Sequence, residues 1–594
     1  MAKMKKNELS TPSFWSEGWV FALLAIAAFV VYQPTLNFGF TNWDDPTYVK
    51  DNPWIRDFTA DGFKRLFTVF LSGNYHPLVL VSYWLEMKWG GGDPSLFHKT
   101  NLILHILNSI LTYLILRRIF SAMYPALFAA LLFAVHPLHV ESVAWITERK
   151  DVLFGLFLLL SLWVYQSDAT GRFGWRYWLS LFLFILSGLS KGQAVMLVPA
   201  LLVLDFIAGK ATLQKSYIMR VLPFVFIGLA IGLLAVYTQQ QQANVRVQVG
   251  YGFFAQMLVG FQGIWFYLSR TLVPFELSAF YPYPDISDGI PFGLWFSGIA
   301  GIVALLAGLW SYRYDKLVFA GFAFFLLTIL PVLQFLPVGN AMAADRYYYI
   351  PAIGAFILMA AALQKWVSQY GIKGWILPMV CIIIMGYFGR LRTYVWKDSF
   401  SLWENVITNY PTAAIAWNSL ANAYYEQNRY GDAITYFEEA LKLDQSDPKS
   451  YNNLGNCYDR TGRPEAAIPL FKKALEIRPN DAMVYTNLGV AYDRLGQLDS
   501  AVAAQTRSVE LMPTPLGYTN LANVLEKQGN FEASAAYCRK ALEMDPGYAL
   551  AHNNLGVALY RLGQMEAAVQ SLQEAARRGY GPAQQFLSQN GITW

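Results

Sequence analysis

The chain has 594 residues, of which 55% are hydrophobic and 16% aromatic, and its formal net charge is +5. Because this apolar fraction is high for a soluble enzyme and the charged residues concentrate toward the C-terminus, we expect one part in lipid and another in water. Basic residues do not interleave with aromatic ones along any stripe, which excludes nucleic-acid binding as a function class.

Apolar runs of about 20 residues follow one another from residue 17 to 395, and each can cross the hydrocarbon layer as a helix. The run that begins at Trp19 follows a Lys-rich start and lacks a small-residue cleavage site, which favours a retained first span over a cleaved signal peptide. The eleven predicted spans are 17–36, 98–116, 124–141, 151–166, 177–190, 192–208, 218–238, 291–312, 317–336, 347–364 and 374–394.

Lys and Arg residues accumulate in alternate loops, so these loops and the Lys-rich start are predicted to be cytoplasmic. The segment 254–274 contains Arg270, and counting it as a span would place Arg313 and Lys316 outside; we therefore expect it to be re-entrant or interfacial. An odd number of spans places the C-terminal part on the non-cytoplasmic side. That side is the periplasm or exterior of a bacterial inner membrane, or the lumen of the endoplasmic reticulum in a eukaryote.

Leucines recur at intervals of 33 or 34 residues after the last span, which is the period of a tetratricopeptide repeat. We predict a membrane domain over residues 1–395 and, over 396–594, a half repeat followed by about five repeats. Such arrays bind extended peptides or helices. The recurring asparagines either contact an acceptor backbone or are ordinary polar positions of the repeat; they are Asn418, Asn453, Asn487, Asn520 and Asn554.

Two adjacent carboxylates, Asp44 and Asp45, follow the first span beside aromatic residues. Sugar transfer needs one carboxylate near the bilayer surface to accept the proton of the incoming hydroxyl, and either acid suits that role. An Asx-turn or helix cap formed by Asp-Asp-Pro would explain the same pair.

The segment from His136 to Asp151 places two histidines, two glutamates and two bases at the boundary of the third span. A departing lipid phosphate requires positive charge, and candidate residues on this face are Arg149, Lys150, Lys191, Arg270 and Arg346. Long basic side chains at this depth also snorkel without any catalytic role. Supporting residues are predicted at His76, His136, His139, Glu141, Glu148, Asp151 and Asp345. Two histidines and a glutamate also suit a metal by type, but with no fourth ligand evident we predict no metal site.

The motifs together resemble a known family, the transmembrane and tetratricopeptide-repeat O-mannosyltransferases and their bacterial relatives, which have the GT-C glycosyltransferase fold. The resemblance rests on Trp43-Asp44-Asp45, on Phe133 to Trp145 with Arg149 and Asp151, on Leu189 to Gln193, on Asp345 to Pro351, and on the repeats. Eukaryotic members often have Lys-Glu-Gln where this chain has Lys191-Gly192-Gln193. Mannose, dolichol and a cadherin-like acceptor are properties of the eukaryotic members and are not transferred to this chain.

The resemblance implies an all-α, polytopic GT-C-type bundle followed by a repeat solenoid on the non-cytoplasmic side. It implies an inverting, metal-independent and cofactor-free transfer of a sugar, with mannose one candidate, from a polyprenyl phosphate to a protein Ser or Thr, with a first-loop acid as base. Two other classes stay open. A membrane-anchored scaffold would leave the charged clusters idle, and a transporter or flippase predicts charges in mid-membrane rather than at one face.

Overall fold

The computed structural model describes residues 17–168, 173–241, 251–337, 339 and 341–594. The chain forms two compact units, Met1–Pro411 and Thr412–Trp594. Among the described residues the structure is mainly helical, with a single antiparallel pair of strands, β1 (Tyr281–Pro282) and β2 (Ala341–Ala343). The all-α class is confirmed. The first unit includes the helix of the half repeat, whereas the sequence placed the domain boundary before it; the domain limits stay a prediction.

The helices of the first unit are α1 (Gly18–Tyr32), α2 (Ala60–Arg65), α3 (Pro77–Gly90), α4 (Pro94–Leu116), α5 (Met123–Val135), α6 (Val140–Ala144), α7 (Arg149–Gln166), α8 (Trp175–Ser190), α9 (Leu197–Ile207), α10 (Lys215–Gln241), α11 (Phe253–Leu272), α12 (Phe292–Trp310), α13 (Lys316–Ile329), α14 (Ala352–Tyr370), α15 (Ile376–Thr393) and α16 (Ser399–Asn409). The helices of the second unit are α17 (Ala414–Glu426), α18 (Tyr430–Leu443), α19 (Pro448–Arg460), α20 (Pro464–Ile477), α21 (Ala482–Arg494), α22 (Leu498–Leu511), α23 (Pro515–Lys527), α24 (Phe531–Met544), α25 (Ala549–Arg561), α26 (Met565–Arg577) and α27 (Gly581–Gln589).

Within the described part of the chain, five helical segments are long and apolar enough to cross a membrane, and a bent pair gives a sixth. The chain is therefore a membrane protein with several spans, but the predicted count of eleven is not confirmed. At several other predicted spans the apolar helix is shorter than these spanning segments, as at Gly192–Ile207 and Lys316–Val332. The five are Gly18–Asn37, Pro94–Leu116, Lys215–Gln240, Phe292–Arg313 and Lys373–Trp396, and the bent pair is Met123–Val135 with Pro137–Ala144.

The bent pair changes direction by 52° because Pro137 follows one residue after the end of α5. The residue before a proline avoids the α conformation, and His136 is accordingly extended, with ψ 134°. A single 3-10 turn and the short α6 follow, and a second 3-10 turn over Ile146–Glu148 leads into α7. This broken stretch turns several polar side chains of the His136–Asp151 segment toward the interior of the first unit.

The segment predicted to be re-entrant or interfacial, 254–274, corresponds to α11, a single helix of 20 residues. It packs closely along α12, where a Cβ added at Gly301 would lie 1.8 Å from the carbonyl oxygen of Phe261. Glycine permits this approach of two helix backbones. The helix is not among the five spanning candidates, and its placement relative to a bilayer stays a prediction.

In the second unit, helices α17 to α26 form five antiparallel pairs, followed by α27. Small residues let the two helices of a pair approach: a Cβ added at Gly455 would lie 2.6 Å from the ring of Phe471 on the partner helix. Asp447 and Asp481 cap the first helices of successive pairs by accepting backbone hydrogen bonds. The predicted repeat architecture is confirmed.

Candidate active site

A cavity of about 640 Å³ lies inside the first unit. Its wall combines the loop after α1, the residues before α3, the break between α6 and α7, the break between α8 and α9, the end of α10, the segment after α13 and the turn before α14. Segments far apart in the sequence thus converge. The predicted site residues that line the cavity are Asp44, His76, Glu148, Lys150, Lys191 and Arg346.

The carboxylate of Asp45 is buried and accepts five hydrogen bonds. One oxygen accepts from the backbone N–H and the hydroxyl of Thr41, at 2.7 and 3.0 Å. The other accepts from the indole of Trp145 at 3.0 Å and from the N–H and hydroxyl of Thr147 at 3.2 and 2.8 Å. Burial raises the pKa of Asp45 to about 6, although these donors act in the opposite direction. Asp45 therefore fastens the loop after α1 to the break before α7.

Asp44 has a different environment, because its side chain is 28% exposed and lines the cavity. In the described part of the chain, one hydrogen bond to its carboxylate is recorded, from Nζ of Lys150 at 3.2 Å. An ionised carboxylate open to a cavity can accept a proton from a bound hydroxyl group, which a carboxylate with five donors cannot do without losing them.

Glu148 lies at the centre of a buried charge cluster. Its two oxygens contact Nζ of Lys150 at 3.3 Å, Nζ of Lys191 at 3.2 Å and the guanidinium of Arg346 at 3.6 Å. Burial alone would raise the pKa of Glu148, but these three cations hold it well below its usual range. Glu148 therefore stays ionised and keeps three positive groups together on one side of the cavity.

Two further acids, Asp151 and Glu141, bind cations of this cluster on the side away from the cavity. Asp151 bonds Lys191 and accepts from the hydroxyl of Ser142 at 2.9 Å. Glu141 bonds the guanidinium of Arg346 and accepts from its backbone N–H at 3.2 Å. Neither acid lines the cavity, whereas Lys150, Lys191 and Arg346 do. The lining residues of this wall thus present more positive than negative charge to the space, which suits a phosphate group.

Two predicted phosphate ligands lie elsewhere. Arg149 is fully buried and forms an ion pair with Glu86 at 3.0 Å, and it also donates to Asn101 and to the carbonyl oxygen of Phe97. It ties α7 to α3 and α4. Arg270 donates to the carbonyl oxygen of Phe275 and pairs with Glu276 at 3.6 Å. Neither arginine lines the cavity.

Of the three predicted histidines, only His76 lines the cavity. It is 6% exposed, and its Nδ1 is buried without a recorded partner in the described part of the chain. Burial first, and then Lys150 and Lys191, hold the pKa of His76 well below its usual range, so the ring is neutral.

His136 bonds the carbonyl oxygen of Thr271 at 3.0 Å, and His139 bonds that of Phe133 at 2.8 Å. Both are structural contacts, and within the described residues no group of three or more His, Cys, Asp and Glu side chains could hold a metal ion.

Asp345 also lies outside the cavity wall and pairs with Arg392 of α15 at 3.4 Å. It accepts a hydrogen bond of 2.7 Å from the hydroxyl of Tyr281 on β1. Since Asp345 directly precedes Arg346, these contacts fix the turn that carries the arginine into the cavity.

The other wall of the cavity is apolar and belongs mainly to α10 and the turn before α9. Gly232, Val195 and Val236 line both this wall and a neighbouring apolar groove of about 410 Å³ that runs along α10. The groove is open, and its remaining lining is aliphatic or glycine. Gly192 packs against α10 here, since a Cβ at this position would lie 2.8 Å from that of Ala235. A side chain at residue 192 would therefore need α10 to move.

Sequence reasoning did not assign several lining residues to the site, although some of them belong to the motifs that it quoted. Trp43 and Trp145 stack with ring centroids 4.9 Å apart, and the guanidinium of Arg346 lies 5.8 Å from each ring centroid. Asn74 accepts a hydrogen bond from Gln239 at 3.2 Å, so neutral polar groups line the cavity beside His76. The run of glutamines at the end of α10 could have predicted a polar partner such as Asn74, because a polar end on an apolar helix needs a polar neighbour.

The predicted acceptor-binding asparagines lie in the second unit. Side-chain amides form a row of hydrogen bonds in which each donates to the next over three repeats: Asn487, Asn452, Asn453, Asn422 and Asn418. The first four amides each use one of their two N–H groups in the row, and Asn418 accepts the last bond and donates to Asp447 at 3.3 Å. Asn554 accepts from its neighbour Asn553 at 3.2 Å, and Asn520 lies on α23. The structure therefore joins Asn453 and Asn487 in one row and not Asn520 or Asn554.

A bundle of apolar helices around a charged cavity, followed by a helical-repeat array, defines a class of membrane proteins. The comparisons agree with this class. Residues 98–239 match the family model "Dolichyl-phosphate-mannose-protein mannosyltransferase", and segments between residues 401 and 582 match "Tetratricopeptide repeat" models.

Two curated relatives align with most of the chain. "Protein O-mannosyl-transferase F38B6.6" of Caenorhabditis elegans is 26% identical over 68% of this chain and 59% of its own length. "Protein O-mannosyl-transferase TMTC1" of Homo sapiens is 25% identical over 71% of this chain and 55% of its own length. The chain thus matches little more than half of each relative.

The solved structure titled "Crystal structure of YrrB: a TPR protein with an unusual peptide-binding site" is 25% identical over 30% of this chain and 93% of that chain, with a TM-score of 0.28. The predicted resemblance to the transmembrane and tetratricopeptide-repeat O-mannosyltransferases is confirmed.

Proposed function

We propose that the chain is an integral-membrane glycosyltransferase that moves a sugar from a polyprenyl phosphate to a Ser or Thr hydroxyl of a protein. The observation that carries the proposal is the cavity itself, where Asp44 lies beside Lys150 and faces a cationic wall on one side and an apolar wall on the other. The printed names of the matched family and relatives support this reaction and make mannose the first sugar to test.

The reaction follows from the positions of the charges. The acceptor hydroxyl attacks the anomeric carbon, its proton passes to Asp44, and the bond from that carbon to the phosphate oxygen breaks. Attack from the face opposite the phosphate inverts the anomeric configuration. The leaving polyprenyl phosphate takes the electron pair, and Lys150, Lys191 and Arg346 stabilise its growing negative charge. His76 and Asn74 are the neutral polar groups placed to bond sugar hydroxyls.

The apolar groove along α10 is proposed to hold the isoprenoid chain. Replacing Gly232 with Phe would fill the shared wall, because a Cβ at this position has room: among the described residues beyond its own helix turn, the nearest atom is a methyl of Val195 at 3.6 Å. We expect KM for a long-chain donor to rise about tenfold, a loss of about 1.4 kcal/mol of binding. The rise should shrink as the donor chain is shortened. The matched control is Ala230→Phe on the exposed side of α10, and an equal rise in KM for both variants would contradict this placement.

The three cations are proposed to supply the charge neutralisation that other transferases obtain from a divalent ion. No cofactor or metal is therefore expected in the reaction. We expect transfer in membranes washed with EDTA to equal that of untreated membranes, and added Mg²⁺ or Mn²⁺ to leave the rate unchanged. A rate that falls with EDTA and returns with one of these ions would contradict a metal-independent mechanism.

The repeats are proposed to bind the acceptor protein as an extended segment, with the row that includes Asn453 and Asn487 bonding its backbone. The proposed topology has eleven spans with the repeats on the non-cytoplasmic side, which is the periplasmic side of a bacterial inner membrane. The apolar helices and the charge asymmetry of the loops support this orientation.

The test is an assay on membranes that contain the full chain, supplied with a panel of radiolabelled polyprenyl-phosphate hexoses. Label in the protein fraction with one donor supports the proposal. A scaffold would capture a partner and label nothing with any donor, and a flippase would move the lipid-linked sugar across the bilayer without attaching it to protein. Either of these results would replace the proposal.

A further inference from the structure

The helix of the half repeat, α16, contacts the loop that carries Asp44, within the first unit. The indole N–H of Trp403 donates to the side-chain oxygen of Asn42 at 2.7 Å. The backbone N–H of Asn42 donates to the hydroxyl of Ser399 at 2.9 Å. Asn42 lies two residues before Asp44, so α16 holds the loop next to the acid.

Four tryptophans extend this contact into the cavity wall. Trp43 lies between Trp145 and Trp403, with ring centroids 4.9 Å from each. Trp396, which precedes α16, stacks on Trp145 at 5.0 Å. Trp396 and Trp403 are buried, whereas Trp43 lines the cavity. The stack connects α16 to a residue that directly precedes Asp44.

A second set of contacts joins α16 to the turn that carries Arg346 into the cationic wall. The guanidinium of Arg392 donates to the side-chain oxygen of Asn405 at 2.9 Å and to Asp345 at 3.4 Å. Asp345 directly precedes Arg346, whose guanidinium lies in the cavity wall. One helix therefore reaches both the residue before the acid and the residue before the arginine.

We propose that α16 is a positioning element of the active site, in which Trp403 positions Asp44 through Asn42 and Trp43, and Asn405 positions Arg346 through Arg392 and Asp345. The inference rests on the proposed function, because the positions of these two groups matter most if they act on a substrate. Packing of a half repeat needs apolar contacts, and it does not need polar bonds to the loop after α1.

The position of Asp44 is sensitive because the acid itself is weakly held. Its neighbour Asp45 is fixed by five hydrogen bonds, whereas one is recorded for the Asp44 carboxylate, from Lys150. The preceding residues Asn42 and Trp43 therefore set where Asp44 points. A displacement of about 1 Å in a catalytic group costs about 10²-fold in rate.

The first experiment compares full-length Trp403→Phe and Asn42→Leu with the wild type in the transfer assay. Both variants lose the indole-to-amide bond, while Trp403→Phe keeps an aromatic ring and Asn42→Leu keeps the branching at Cγ. We expect kcat to fall about 10- to 100-fold with little change in KM for the donor. Asn42→Asp keeps the acceptor oxygen and should retain most of the wild-type kcat. Trp163→Phe, a half-buried tryptophan outside the stack, controls for the loss of an indole. Wild-type kcat in both Trp403→Phe and Asn42→Leu would overturn the proposal.

The second measurement does not require transferase activity. A reporter chain with Asp44→Cys is labelled with a water-soluble maleimide, alone and combined with Trp403→Phe, and a chain with Asp44 intact gives the background from native thiols. We expect Trp403→Phe to change the labelling rate at position 44 several-fold, and Trp163→Phe to leave it unchanged. An unchanged rate overturns the positioning role whatever the activity shows. If the wild-type chain transfers no sugar from any donor of the panel, a changed labelling rate still supports the positioning of residue 44, and the proposed function is removed.

Discussion

Replacing Asp44 with Asn is expected to lower sugar transfer by about 10²- to 10⁴-fold, the usual contribution of a general base. The amide has nearly the same shape but cannot take up the hydroxyl proton. Because Asp44 is 28% exposed and its recorded side-chain bond is the one from Lys150, the chain should stay folded. The measurement is transfer of labelled sugar at equal amounts of membrane-inserted protein.

Asp45→Asn is the matched variant, and a different defect is expected from it. An amide at this position places an NH₂ group against buried donors of Thr41 or of Thr147 and Trp145. A buried donor without an acceptor costs about 1–3 kcal/mol, so the thermal midpoint in detergent should fall. Full transfer by Asp44→Asn, together with an inactive but normally stable Asp45→Asn, would reverse the two assignments.

Replacing Lys191 with Gln is expected to lower transfer by about 10²- to 10³-fold, as when a preorganised group that stabilises the developing negative charge is removed. Lys191 contacts both Glu148 and Asp151 and lines the cavity at the break between α8 and α9. The effect should lie mainly in kcat, since the charge on the phosphate grows as the bond to the sugar breaks. The rate is measured at saturating donor.

A second variant separates chemistry from folding. Lys191→Gln leaves Asp151 buried without its cation, which is destabilising in itself. The double variant Lys191→Gln with Asp151→Asn removes the unpaired charge, so we expect its thermal midpoint to recover while transfer stays low. Recovery of transfer in the double variant would mean that Lys191 holds the fold and does not act on the phosphate.

The sequence predicted much of the cavity because its charged segments border apolar runs at the same predicted membrane face. Asp44, Lys150, Lys191 and Arg346 come from four such segments, and the structure brings all four to one space. The odd-span prediction depends on helix lengths that the structure does not confirm, since several helices of the first unit are shorter than a full span. A short apolar helix can be stable when it is buried among neighbouring helices. Hydropathy does not distinguish such a helix from one that crosses the membrane.

The sequence did not show which of two adjacent charged residues faces the cavity. Arg149 and Lys150 begin α7, and successive side chains on a helix point about 100° apart. One therefore faces the cavity, and the other faces Glu86 of α3. The same limit applies to Asp44 and Asp45, since the five donors to Asp45 come from residues close to it in sequence and from others about 100 residues away. Contacts of this kind depend on tertiary structure and leave no local pattern.

The most direct test uses the purified full-length chain with one synthetic polyprenyl-phosphate hexose and an acceptor protein. Two products are measured in the same reaction, the hexose attached to protein and the polyprenyl phosphate released. The proposed mechanism predicts equal amounts of both, formed by the wild type and almost absent with Asp44→Asn. Release of polyprenyl phosphate without glycosylated protein, or equal transfer by the Asp44→Asn variant, would contradict it.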